Sequence, residues 1–156
     1  MRYLLIDRIL FLQRHQKISA LKNVALSEDV FADHFMGFPV MPGALMIEAA
    51  AQAGTALLEV SLDYKKKAIL VMVERAKFRA MVTPGDQLQI TGTMLSLDDS
   101  LARVGIEARV GEKLVMDGRL AMGLREPDQF YPPESMHVVK SVYECWLRHA
   151  ELVDFD

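Results

Sequence analysis

Apolar and polar residues change their period several times along the chain, and each change marks an element. Residues 2–12 (RYLLIDRILFL) are dense in apolar, β-compatible side chains, and 17–25 (KISALKNVA) alternate more loosely, so both are read as strands. Ser27-Glu28-Asp29 signals a helix start for a single turn that ends before His34. From Gly43 to Val60 there is no proline, and Ala, Leu and Met dominate, which predicts a long helix. Its many alanines imply close contact on all sides, hence a buried central helix.

After Lys65-Lys66-Lys67 the period falls to two. AILVMVERAKFRAMV (68–82) leads into Thr83-Pro84-Gly85-Asp86, with Pro and Gly at the central places of a type II turn. QLQITGTMLSL (87–97), the turn Asp98-Asp99-Ser100 and LARVGIEARV (101–110) follow. In the last run Ala102, Val104, Ile106, Ala108 and Val110 alternate with Arg103, Glu107 and Arg109, the pattern of a strand with one wet face. Gly111-Glu112 connects tightly to KLVMDGRLAMGL (113–124). Short turns between such runs make an antiparallel meander. The predicted class is α+β, with strands curling around one early helix. Residues 126–133 (EPDQFYPP) break the pattern. Beyond them Met136, Val139, Val142, Tyr143, Trp146 and Leu147 recur at helical spacing, giving an amphipathic C-terminal helix that docks on its own domain or on a partner. The division is thus 1–125 for the main domain and 126–156 for linker and helix.

Composition narrows the function classes. The chain has 156 residues, enough for one domain with a full core. A net charge of −3 offers no basic surplus for nucleic acid. The single Cys145 excludes an internal disulfide framework and fits a reducing, cytoplasmic setting. The longest apolar tract, 40–62, contains Glu48, Gln52 and Glu59 and is a poor membrane span. Asp7 and Arg8 interrupt the N-terminal apolar run, which therefore does not read as a signal sequence.

The chemistry concentrates in HFMGFPVMPGALMIEAAAQAG (34–54). Glu48 sits among apolar residues, where ionisation is costly and a retained proton makes a general acid. The bland alternative is a glutamate facing solvent or paired with a cation. Gln52 lies four residues on, on the same helical face, and can orient the carboxyl. Gly43 follows Pro42 at the helix start, where unpaired backbone N–H groups can receive a carbonyl oxygen. His34 supplies a base on a loop stiffened by Pro39 and Pro42. No H-E-x-x-H or paired-cysteine set is present, and Cys145 with His149 are too few for a metal, so no metal or other cofactor is expected.

His34-Phe35, Gly37, Pro39, Met41-Pro42-Gly43, Glu48-Ala49 and Ala51-Gln52-Ala53 closely resemble the signature of the 3-hydroxyacyl-[acyl-carrier-protein] dehydratases of bacterial fatty-acid synthesis. The resemblance runs from YLLIDRIL through KNV (22–24) and ERAKFRAMVTPGDQL (74–88) to about Gly123. It implies a hotdog fold, a homodimer or a hexamer of three dimers, and dehydration of (3R)-3-hydroxyacyl thioesters on acyl carrier protein. It further implies His34 as base and Glu48 as acid, meeting across subunits. Gly43 N–H would bind the thioester carbonyl, the carbonyl of Val40 would hold the histidine, and Gln52 would steady the carboxyl. Glutamate at 48, rather than aspartate, implies dehydration without isomerisation. Arg75, Lys77 and Arg79 share one strand face, as a landing patch for the acidic carrier or as an ordinary solvated surface. The sequence departs from the family at Met36, where proline is usual, at Phe38, and in the added C-terminal helix, which is expected to cover part of the dimer surface or the tunnel exit. Two rivals stand beside this reading: a hotdog acyl thioesterase, and a non-catalytic acyl-binding or assembly subunit.

Overall fold

The computed structural model describes residues 3–153. Seven strands form one sheet: β1 (Arg8–Gln13), β2 (Lys17–Asn23), β3 (Lys67–Phe78), β4 (Gln87–Leu97), β5 (Leu101–Val110), β6 (Lys113–Arg125) and β7 (Glu151–Val153). Their order is β3-β6-β5-β4-β2-β1-β7, antiparallel except for β7, which runs parallel to β1. Helix α1 (Gly43–Ser61) packs on β2 through β6, and α2 (Met136–Leu147) packs beside β1. The sheet wraps α1 in the hotdog manner.

The alanines of α1 explain how the wrap closes. Ala49, Ala50, Ala53 and Ala56 are fully buried, as are Leu57 and Leu58, so strand side chains reach the helix backbone closely. Opposite them Ile18, Leu88, Ile90 and Val104 point inward from alternating strand positions. Tyr143 and Trp146 of α2 belong to the same core. The turn at Thr83–Asp86 closes with Asp86 N–H donating to Thr83 O at 3.0 Å, and Gly85 takes φ +99°, the type II geometry.

The larger departures from the sequence reading are two strand boundaries and one added strand. The first strand begins at Arg8 rather than at residue 2, which itself lies outside the described residues. Tyr3 to Asp7 spend their polar groups elsewhere: Leu5 N–H donates to Gln52 Oε1, and Asp7 accepts from Asn23. The long strand ends at Phe78, not at 82. Arg79 N–H turns to Val115 O, while Val82 O accepts from Met41 N–H and ties this segment to the loop before α1. The strand β7 was not foreseen. Three residues carry too little pattern for periodicity to detect.

Candidate active site

The loop before α1 folds as a miniature hairpin. Phe35 and Phe38 exchange two backbone hydrogen bonds, of 3.0 and 2.9 Å, with Met36 and Gly37 between them. Gly37 has φ +79° and Met36 does not enter the left-handed region, so the turn is type II. Met36 therefore occupies the place where such turns accept proline, and glycine is needed only at the next one. Met36 is 86% exposed, and Phe35 and Phe38 are exposed with it. The His34–Phe35 peptide bond is cis.

At the base of this hairpin His34 is clamped to Val40 twice. Val40 N–H donates to His34 O at 2.9 Å, and the imidazole Nδ1 lies 2.7 Å from Val40 O. A carbonyl only accepts, so Nδ1 carries a proton and the neutral ring has its lone pair on Nε2. The ring also stacks on Phe35 with centroids 4.1 Å apart. His34 is half-buried while Val40 is buried, so the base is oriented by the interior and presented at its edge.

Helix α1 begins immediately after this loop. Pro42 is its N-cap and no side chain caps the first turn, so its leading N–H groups are left for a ligand or water. A side chain at Gly43 would collide with a neighbour. Its Cβ would sit 2.8 Å from Cζ of Phe78, whose ring covers the helix start. Phe78, the last residue of β3, was not singled out in the sequence. The only signal there was an aromatic side chain set between the cations Lys77 and Arg79.

Two and a half turns into α1, Gln52 is held by three hydrogen bonds. Its Oε1 accepts from Leu5 N–H at 2.9 Å, and its Nε2 donates to Tyr3 O at 2.7 Å and to Glu48 Oε1 at 3.0 Å. The N-terminal segment thus locks the amide, and the amide orients the carboxyl. Glu48 is half-buried and opens onto a cavity of about 660 Å³ bounded by α1, the start of β3, α2 and the N-terminal segment. His34 is not among the described residues lining it, and among those residues no hydrogen bond joins His34 to Glu48. One chain therefore holds two separate clusters: His34 with Val40, and Glu48 with Gln52.

Of the three cations predicted to share one strand face, Arg75 and Lys77 lie on β3 while Arg79 falls just beyond its end, and the two arginines hold a carboxylate. Arg75 reaches Asp117 at 2.6 Å, Arg79 also bonds it, and Lys77 stands opposite it in the strand register. The Arg79 hydrogen bond, with the charges of Arg79 and Arg75, holds the Asp117 carboxyl below the usual range despite its burial. Arg75, Arg79 and Asp117 line a groove on the outer sheet face, away from α1.

A second buried carboxylate lies further along α1. Glu59 is 3% exposed, and three donors meet it: Tyr143 O–H at 2.6 Å, Ala68 N–H at 3.0 Å and Lys67 Nζ at 2.8 Å. Burial, followed by the charge of Glu59, pushes the Tyr143 phenol far above its ordinary value. In the sequence Glu59 counted only as an argument against a membrane span. Its spacing from Glu48, Gln52 and Thr55 is the signal that would have found it, because the four fall on one helical stripe.

Comparison with known proteins places the family and the fold. The FabA-like domain model matches residues 1–122. A 3-hydroxyacyl-[acyl-carrier-protein] dehydratase FabZ from Koribacter versatilis is 39% identical over 120 residues, covering 76% of this chain and 77% of its own. The FabZ of Pelotomaculum thermopropionicum is 40% identical over 124 residues, covering 79% and 89%. Among solved structures, the uncharacterised PH1136 of Pyrococcus horikoshii superposes with TM-score 0.64 at 13% identity, over 81% of this chain and 88% of that one. A hypothetical thioesterase from Streptococcus pneumoniae, solved with coenzyme A, gives 0.61 at 12% identity, over 76% and 85%. These two likenesses concern the fold alone. With the family model spanning most of the chain and FabZ relatives at this identity, the chain belongs to the FabA-like family of hotdog proteins, close to its FabZ dehydratases.

Proposed function

We propose that the chain dehydrates (3R)-3-hydroxyacyl thioesters on acyl carrier protein to trans-2-enoyl thioesters. The observation that carries this reading is the His34–Val40 clamp, which leaves Nε2 as a free, oriented base beside an uncapped helix start. Nε2 takes the C2 proton, and the C–H electron pair becomes the C2=C3 double bond. The C3–O bond breaks, and Glu48 gives its proton to the departing hydroxyl, forming water. Gly43 N–H, at the positive end of α1, receives the thioester carbonyl as negative charge develops on it. Gln52 keeps the carboxyl aimed. The glutamate at 48 goes with dehydration without double-bond migration.

Base and acid occupy separate clusters in one chain, which supports a site shared between two copies. Two exposed apolar surfaces suit that assembly: the loop tip of Phe35, Met36 and Phe38, and the free edge of β3 with Val71, Met72 and Val73. The unit is then a homodimer, or three dimers in a hexamer. The cationic group of Arg75, Lys77 and Arg79 lies on the outer face of the strand end whose Phe78 covers Gly43, a suitable landing place for an acidic carrier protein. No described helix is long and apolar enough to cross a membrane, and exposed free Cys145 suits a reducing cytoplasm.

The test offers 3-hydroxyacyl thioesters to wild type, His34→Ala and Glu48→Gln, following enoyl product and free thiol separately. Wild type forms the conjugated enoyl thioester, and each variant loses about 10²–10⁴-fold in kcat. Thiol release without enoyl product makes the protein a thioesterase instead. Mixing the two variants under demonstrated subunit exchange restores one intact site per heterodimer. Heterodimers that stay inactive would place both groups of a working site in one chain.

A further inference from the structure

We propose that the C-terminal helix α2 is the end wall of the acyl pocket and limits the chain length it accepts, with Val142 and Trp146 as the gauge. This rests on the dehydratase reading for the identity of the chain that enters. The cavity onto which Glu48 opens has Ala51 and Thr55 of α1 and Leu70 of β3 on one side, and Val138, Val142 and Trp146 of α2 on the other. Without α2 this space would be an open groove. The family match ends at residue 122, so the wall lies outside the part of the chain that matches.

The wall is fastened rather than merely adjacent. Tyr143 O–H is bonded to Glu59 inside the core, Trp146 packs edge-on against Tyr143 at 5.7 Å, and β7 pairs with β1 directly after the helix. This fastening also decides what the pocket holds. Lys67 and Tyr143, two polar groups on its lining, are both committed to Glu59. Gln52 is committed to the N-terminal segment and Glu48. No uncommitted cation remains on the described lining to receive an anionic headgroup, whereas the α2 side is aliphatic and aromatic. An uncharged acyl tail that begins at the reacting carbons near Glu48 and ends against Trp146 fits that chemistry.

Trp146 is the single tryptophan of the chain, so its fluorescence reports directly on this wall. Full-length protein is titrated with 3-hydroxyacyl thioesters of graded length, and turnover is measured on the same series. The expected result is a fluorescence change that grows with chain length until the pocket is full. Val142→Phe should then lower kcat/KM for the longest accepted chain at least about tenfold relative to the shortest, and Trp146→Ala should admit longer chains. Glu144→Gln, on the exposed face of α2, leaves the length profile where it was. Fluorescence that responds while no enoyl product forms upholds the pocket and removes the dehydratase reading. Turnover with a silent Trp146 and an unmoved profile in both Val142→Phe and Trp146→Ala overturns the wall. So does fluorescence that follows protein dilution rather than acyl ligand, because the groove would then be filled by a second copy of the chain.

Discussion

Glu48 and Glu59 lie on the same helix, eleven residues apart, which at about 100° per residue returns them to nearly the same face. Their surroundings make them opposites. Glu59 is enclosed and meets a phenol, a backbone N–H and an ammonium, so its lone pairs are spoken for. Glu48, among the described residues, receives a hydrogen bond from Gln52 alone, and it lines a cavity. A carboxylate enclosed by donors holds structure together; one that opens onto an apolar space can meet a ligand. The same residue type on one stripe is thus a fastening at one end and, in the proposed mechanism, the acid at the other.

The sharpest break of this contrast is the matched pair Glu48→Gln and Glu59→Gln. The first should lower kcat by about 10²–10⁴-fold, with a melting temperature close to wild type. The second should reverse the pattern, destabilising the fold by about 1–3 kcal/mol through donors left unpaired, with a far smaller effect on turnover of short substrates. Thermal melts and steady-state kinetics on both variants decide it. Equal losses of activity and stability in the two would abolish the distinction.

Much of this was legible from the chain, for identifiable reasons. The period-2 runs of β4 and β5 ended where their turns predicted, because Asp98 and the Pro84-Gly85 pair make turn geometry local. Helix α1 was equally plain, its alanines demanding burial. His34, Gly43, Glu48 and Gln52 stood out because polar or special residues interrupt an apolar segment. What stayed hidden depends on partners distant in sequence. Glu59 finds Tyr143 across 84 positions, and Gln52 finds Tyr3 and Leu5 across nearly 50. Phe78 meets Gly43 only once β3 lies over the helix start. Periodicity reports which face a residue occupies, not which residue will arrive there.

Gln52 is where the two behaviours meet, since it is fully bonded like the partners of Glu59 yet serves Glu48. Gln52→Ala should lower kcat on the order of tenfold to a hundredfold by letting the carboxyl drift from its orientation, with KM for the thioester less affected. Gln52→Glu would keep the volume but remove the Nε2 donor to Tyr3 O and Glu48, and should not restore activity. A Gln52→Ala enzyme with full kcat and only a lowered melting temperature would make the residue a brace for the N-terminal segment alone.

The mildest test loosens the fastened end by one atom. Tyr143→Phe deletes the hydroxyl that donates to Glu59 and should cost about 1 kcal/mol at neutral pH. The pH dependence carries the argument further. Burial raises the Tyr143 phenol far above the value of about 10 that it has in an unfolded chain. A group raised in this way contributes its full stability below the unfolded value and loses it as pH climbs beyond, because the unfolded state sheds its proton first. The stability gap between wild type and Tyr143→Phe should therefore narrow as pH passes about 10, while each protein also carries the smaller alkaline loss from Tyr64, whose phenol burial raises as well. Chemical denaturation at neutral and alkaline pH measures the gap directly. A gap that stays constant would mean that Tyr143 and Glu59 are not coupled in solution, and that the far end of the stripe is held by Lys67 and the Ala68 backbone instead.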